Sequence, residues 1–337
     1  MSLSTETKQP ATVFITDADV AALADWAMAV EALRSAYARP MTPAMVPPRV
    51  MARGDGFWLR GLCAVSPSGE YMGCKLIAAS PRIKRASYLI SLFDQRTMEL
   101  VALVDGNRIT DIRTAATSVV AVNALSAPGP LRVGVIGSSS LARNTLQALA
   151  AVRDIASAKV FSPSPENRQR FASDFRSSHG FDIVSVDSPR EAVSGADVVL
   201  CAARSRDESP VFLGEWLAPG MVVVSVGSTL PEQREVDEEA MRRATLIVAD
   251  MREEIVHDTG DAIVATKAGV DVAGKTVELA DVMNGTLPGR RSPDDIIFYK
   301  SVGSALQDVV TAEMLLRGAL ETQRYVPMPA GVVTITR

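Results

Sequence analysis

The chain has 337 residues, 47% of them hydrophobic and 22% charged, which is long enough for two domains and ordinary for a globular protein with a large core. Its 35 basic and 39 acidic residues leave a net charge of −4 with no basic block, which argues against nucleic acid as a partner, and no apolar run reaches membrane-spanning length. Two histidines argue against a histidine zinc site or a Ser-His-Asp triad, and three scattered cysteines without metal spacing fit a reducing cytoplasm.

The polar start MSLSTETKQP (1–10) lacks a signal-peptide core and reads as a frayed tail. Thr16-Asp17-Ala18-Asp19 reads as an N-cap followed by one helix to about residue 39, with Val20, Leu23, Trp26, Ala27, Val30 and Leu33 at helical spacing on a core-facing side. Pro40, Pro43, Pro47 and Pro48 then interrupt the chain. From 49 to 112 the pattern becomes short β runs, punctuated by Gly54-Asp55-Gly56, Ser68-Gly69 and the hairpin signal Asp105-Gly106. This predicts a small, mostly antiparallel region. Thr110 reads as an N-cap for a helix over 111–125 that carries Arg113 in its first turn. Ser126-Ala127-Pro128-Gly129-Pro130 reads as a linker.

After the linker, 131–136 is a buried-strand run, Gly137-Ser138-Ser139-Ser140 a tight turn, and an amphipathic helix follows with Leu141, Thr145, Leu146, Leu149 and Val152 near one face. A second strand starts at 158. Strand, turn, helix and strand make the first half of a nucleotide-binding βαβ unit, whose turn aims backbone N–H groups at an anionic phosphate. Gly137 and Ala142 fit the first and third small positions of the fingerprint, but Ser139 stands at the second, where glycine lets the backbone approach a pyrophosphate. The serine hydroxyls can donate to phosphate instead. The alternative is a plain βα turn with no nucleotide. Further on, helices over 165–177 and 188–194 alternate with strands over 182–186, 197–202, 220–226 and 246–249. A β-like 296–300 precedes Ser301-Val302-Gly303, and a last helix covers 305–321. The spacing predicts a parallel sheet with crossover helices.

The second strand of the unit ends Phe161-Ser162-Pro163-Ser164, without the carboxylate that grips the ribose hydroxyls of NAD. Ser162 with Arg168 close by suits a 2′-phosphate, so NADP is favoured over NAD. The alternative is that Arg168 is a solvated helix residue.

The segments MGCKL (72–76), ITDIRTAATS (109–118), FSPSPENR (161–168) and FYKSVGSALQDV (298–309) resemble the ornithine cyclodeaminase/mu-crystallin family, over roughly residues 15 to 325. The resemblance implies a homodimer of α/β class. It combines a Rossmann-type doubly wound parallel sheet with a smaller, mostly antiparallel α+β substrate/dimerisation domain. The former is placed at 128–303, and the latter at 1–127 with 304–337. It implies that Arg49 and Arg113 bind a substrate carboxylate and that Lys75 contacts substrate and acts in acid–base chemistry. Thr114 and Thr117 would contact cofactor phosphate, with the turn Gly137, Ser138, Ser139, Ser140 and Leu141. Ser301 and Gly303 would lie near the nicotinamide. A guanidinium can hold an α-carboxylate through two parallel hydrogen bonds, and a lysine beside two arginines has its pKa pushed down, which suits a proton donor. Strand alternation points Lys75 away from the side of Cys74 and Leu76. Without the resemblance Lys75 reads as a solvated strand lysine.

Two positions depart from the family. Where cyclodeaminases carry an aspartate that acts on the substrate amino group, this chain has Thr229, and a lysine four residues later reads Gln233. The family's Gly-x-Gly-x-Gln turn reads 137–141 here. Glu235 and Asp237 read as solvated acids after that loop. Three functions stay open: a nicotinamide-dependent oxidoreductase acting on the C=N or C–N bond of an imino or amino acid, an ammonia lyase that recycles bound NAD, and a non-catalytic NAD(P)-binding homologue.

Overall fold

The computed structural model describes residues 12–205 and 207–335, so the N-terminal decapeptide lies outside the described residues. The chain forms two compact units. The first comprises the described parts of Met1–Asp25, Thr42–Thr110 and Ala305–Arg337, and the second Trp26–Met41 with Asp111–Ser304.

The first unit begins with β1 (Val13–Ile15) and the capped helix α1 (Asp17–Leu23). The single helix expected here is broken: Ala24 takes an extended conformation, and α2 (Trp26–Tyr37) starts anew in the second unit. Tertiary packing forces the break, because α1 lies on the C-terminal helix Ala305–Thr322 while α2 packs within its own unit. Then come β2 (Val50–Gly54), β3 (Phe57–Val65), β4 (Tyr71–Ser80), β5 (Arg85–Asp94) and β6 (Leu100–Asp105). With the terminal strand Val326–Pro327 they form a seven-stranded sheet, ordered terminal strand, β1, β6, β5, β4, β3, β2. Every pairing is antiparallel except β1 with β6. Period-two alternation buries Leu62, Ala64, Lys75, Ile77, Ile90 and Leu92 on the face covered by the C-terminal helix.

Asp105-Gly106 is not a hairpin but the junction of β6 with α3 (Asn107–Leu125). The Asp105 carboxylate accepts from the Asn107 amide at 3.0 Å, so the helix starts four residues before the expected one. Thr110 therefore lies inside it, and Arg113 in its second turn.

The second unit is an eight-stranded, wholly parallel sheet. Its elements are β7 (Leu131–Ile136), α4 (Ser140–Val152), β8 (Ile155–Phe161), α5 (Pro165–His179), β9 (Ile183–Ser185), α6 (Pro189–Val193), β10 (Val198–Cys201), β11 (Val222–Ser225), α7 (Glu238–Arg243), β12 (Leu246–Ala249), α8 (Arg252–Asp258), α9 (Gly260–Lys267), β13 (Thr276–Glu278) and β14 (Ile297–Lys300). The strand order is β13–β12–β14–β11–β10–β7–β8–β9. β10, β11 and β14 are buried at every residue, as strands covered by helices on both faces must be. The order reverses between β7 and β10, the point where sheets of this kind bind ligands outside their carboxyl ends. Residues 26–41 and 111–127, expected in the antiparallel domain, belong to this unit. The reason is packing: α2 lies against α4, and Arg290 holds the last carbonyl of α3, at Leu125. Among the described residues no helix is long and apolar enough to cross a membrane.

Candidate active site

The glycine–serine turn opens at the reversal point of the parallel sheet. Gly137 has φ +115°, and a Cβ there would lie 2.7 Å from the Ala202 carbonyl at the end of β10. Only glycine fits both demands. Ser139, at the second fingerprint place, has φ −69° and ψ 171° and is the N-cap of α4, accepting from the Ala142 amide. Its backbone therefore needs no glycine, and its hydroxyl serves the helix. Ser138 and Ser140 with Leu141 line the helix start, where amide N–H groups favour an anion. These residues fit a dinucleotide phosphate.

At the end of β8, the Arg168 guanidinium donates to the Ser162 carbonyl at 3.0 Å and pairs with Asp187. Arg168 is 11% exposed in its side chain, so it is no freely solvated helix residue. The Ser162 hydroxyl bonds the Ser164 carbonyl.

Beyond β12 and β14 a carboxylate organises a loop. Asp250 accepts from the Ser301 hydroxyl at 2.6 Å and from the amides of Gly303 at 2.8 Å and Val302 at 3.0 Å. Gly303 has φ +82°, and a Cβ there would lie 2.6 Å from both terminal nitrogens of Arg113. The predicted nicotinamide loop and the predicted carboxylate-binding arginine thus lie against each other. Thr117 is fully buried, its hydroxyl donating to the Arg113 carbonyl at 2.7 Å, whereas Thr114 is 8% exposed.

In the first unit Lys75 is only 2% exposed, and its ammonium stands 2.8 Å from Asp308 Oδ1 and 2.7 Å from the Thr110 hydroxyl. It also lies 5.5 Å from the centre of the Tyr88 ring. Asp308 is 1% exposed, so the pair is held out of water. Its place in the segment ALQDV, an acid in the first turn of a buried helix, is the signal that sequence reasoning passed over. Arg49 is half-buried just before β2.

A second buried ion cluster closes the carboxyl ends of β11 and β14. Lys300, wholly buried, stands 2.8 Å from Asp261 Oδ2 in an ion-pair contact, donates to the Ser225 hydroxyl at 3.1 Å and reaches the Ser228 carbonyl at 3.3 Å. Glu235 is likewise wholly buried, which corrects its reading as a solvated acid. It accepts from Ser225 Oγ at 2.6 Å and from the amides of Gly227 and Ala203, both at 3.0 Å. Burial pushes its carboxyl up to about 7, against the pull of Lys300 and of these hydrogen bonds. Asp237 is no solvated acid either: it caps α7 through the Ala240 amide and also takes the Gly214 amide. The clue was Lys300 itself, because a lysine ending a fully apolar strand must find a buried partner. Thr229 and Gln233, the two departures, meet each other, the Thr229 amide donating to Gln233 Oε1 at 3.0 Å.

The model of the ornithine cyclodeaminase/mu-crystallin family matches residues 11–323. The chain is 30% identical over 264 residues to Delta(1)-pyrroline-2-carboxylate reductase of Bacillus cereus, across 77% of this chain and 80% of that one. It is 32% identical over 226 residues to ketimine reductase mu-crystallin of Mus musculus, across 67% of each. Among solved structures, Delta(1)-pyrroline-2-carboxylate reductase of Thermococcus litoralis, in complex with NADH and L-proline, matches with a TM-score of 0.84 and 28% identity, over 94% of this chain and 100% of that one.

Proposed function

Since the chain belongs to the ornithine cyclodeaminase/mu-crystallin family, we propose that it is a nicotinamide-dependent reductase of the C=N bond in a small imino acid. The observation that carries this reading is the Arg113 guanidinium lying on the 301–303 loop that Asp250 holds in place. A planar cation there grips a substrate carboxylate and presents the carbon next to it to the nicotinamide. Arg49 supplies a second cationic contact to the same carboxylate. Lys75, aimed by Asp308 and Thr110, delivers the proton to the imine nitrogen as the C=N bond becomes C–N.

The bound cofactor supplies the hydride. Its phosphates are held by Ser138, Ser139, Ser140 and Leu141 after Gly137, and by Thr114. Thr117 follows in the same helix, with its hydroxyl donating to the Arg113 carbonyl. Ser301 and Gly303 flank the nicotinamide. Ser162 and Arg168 take the ribose end, and the absence of an acid after Phe161 favours NADPH over NADH. The lyase reading loses its carboxylate, because Thr229 is tied to Gln233 and has no charge to pair with an amino group. Members of the relatives named above act on pyrroline-2-carboxylate and ketimines, so cyclic imino acids are the first substrates to offer.

We place the substrate-binding part of the chain in the antiparallel unit together with Arg113, and expect a homodimer. Val50, Phe57, Leu59 and Leu76 share one face of that sheet by register and are 70%, 57%, 47% and 40% exposed. Mixing the protein with NADPH or NADH and cyclic imino acids tests the function. Nicotinamide absorbance falls with substrate, and Arg113→Ala raises KM at least about tenfold by losing one charge-assisted contact. Cofactor binding without turnover on any imino acid overturns the reductase reading and leaves a binding protein.

A further inference from the structure

The loop over 227–233 leaves the carboxyl end of β11, between the ends of β10 and β14. Ligands of parallel sheets bind outside those ends. What fixes this loop lies beneath it and takes no part in the chemistry above. Lys300 ends β14 immediately before the 301–303 loop, and its ammonium reaches back to the Ser228 carbonyl. Ser225, at the end of β11, receives from Lys300 and donates to Glu235. Glu235 returns to the loop through the Gly227 amide and to the end of β10 through the Ala203 amide. Asp261 of α9 takes the amides of Glu235 and Val236 on its other oxygen. One cation and two carboxylates therefore tie together the loops that follow β10, β11 and β14.

We propose that Glu235, acting through Ser225 with Lys300 and Asp261, is a positioning residue for the reaction: the cluster holds the 227–233 loop in register with the 301–303 loop on which Arg113 lies. Its kinetic consequence rests on the reductase reading given above. The direction of control follows from the bonding. Three donors converge on the Glu235 carboxyl, and a carboxylate with two acceptor oxygens suits all three. A proton on that group turns one oxygen into a donor, which displaces the Ser225 hydroxyl or the Gly227 amide. The groups facing Glu235 are Lys300 of β14, Asp261 of α9 and the buried thiol of Cys201 on β10, itself pushed up by burial and by Glu235. Burial holds the Glu235 carboxyl near 7, so its charge changes within the working range of an enzyme.

The test compares the full-length protein with Glu235→Gln and the milder Ser225→Ala in two measurements. In the first, kcat for imino-acid reduction is followed across pH. The wild type rises through a step near 7, the position to which burial moves Glu235. Glu235→Gln loses the step and about tenfold in kcat above it, with cofactor affinity kept within about threefold. Ser225→Ala shifts the step. In the second, hydrogen exchange above neutral pH shows the amides of 227–233 losing about tenfold in protection in both variants, while β7 and β10 keep theirs. A wild-type step that persists in Glu235→Gln, or unchanged protection of the loop in Ser225→Ala, overturns the proposal. Should Glu235→Gln fail to fold, Ser225→Ala decides. A wild type that reduces no imino acid refutes the reductase reading, and the exchange measurement then judges the cluster by itself.

Discussion

Lys75 and Asp308 show what a buried pair costs and why it is kept. Two charges held almost entirely out of water at 2.8 Å gain little net stability over apolar residues of similar size, yet breaking one partner strands the other. Asp308→Asn should therefore destabilise by about 3 kcal/mol, the range seen when a buried pair is cut, as urea unfolding would report. It should also lower kcat about a hundredfold by misplacing Lys75, the proposed proton donor. The double change Lys75→Met with Asp308→Leu should regain most of the lost stability and none of the activity. Full stability loss in the double variant would mean that the pair is structural. The alternation of β4 could be read from its residues, and Lys75 does occupy the buried face opposite Cys74 and Leu76. Its partner could not, because Asp308 lies 233 residues away and local pattern carries no information about such distances.

At the level of elements, the segments whose burial is set locally were legible. The runs that became β10, β11 and β12 are apolar but for Ser225, because a parallel strand between two helical layers has no wet side. The helix after the 137–140 turn and the last helix were legible too, because an apolar face is a local feature, whereas Ser139 as the cap of α4 emerged only from the structure. Element junctions were not. Asp105-Gly106 carries the chemistry of a hairpin yet feeds α3, because β6 pairs with β1 in parallel and the chain must leave the sheet there. The loop at 301–303 is an element whose form depends on one glycine. Gly303→Ala should raise KM for the imino acid at least about tenfold by displacing Arg113, on top of roughly 1 kcal/mol of backbone strain in the left-handed region. Initial-rate measurements check it, and an unchanged KM would show that Arg113 does not hold the carboxylate.

For the whole molecule, buried acids set the response to pH. Glu235 and Glu278 are both pushed up to about 7, burial being the main cause in each. An unfolded chain releases these protons near the ordinary value of 4.5, while the folded one keeps them until about 7. The folded state then binds more protons across that window, so their contribution to stability is full below 4.5 and is lost as pH rises to 7. The urea midpoint should fall over this range, and Glu278→Gln should flatten the fall by a share on the order of 2–3 kcal/mol. A midpoint rising through the window would contradict the burial of both groups. Opposite in sign, Asp197 and Asp295 are held below the ordinary carboxylate range, Asp197 chiefly by its bond from Arg132 and Asp295 by the Arg291 and Ser292 amides. They remove stability in acid.

The sequence by itself determined the α/β class and the tight βα turn with its Gly137, because periodicity and turn chemistry are properties of neighbours along the chain; Lys75, Arg113 and the 301–303 loop stood out only through the motifs that resemble the family. Only the tertiary structure decided that Asp308 faces Lys75, that Asp250 shapes the loop under Arg113, and that Glu235 lies in the core with Lys300 and Asp261. A charged residue enters a core only when a partner from a distant segment meets it there, and that meeting is made by the fold, not by any stretch of sequence.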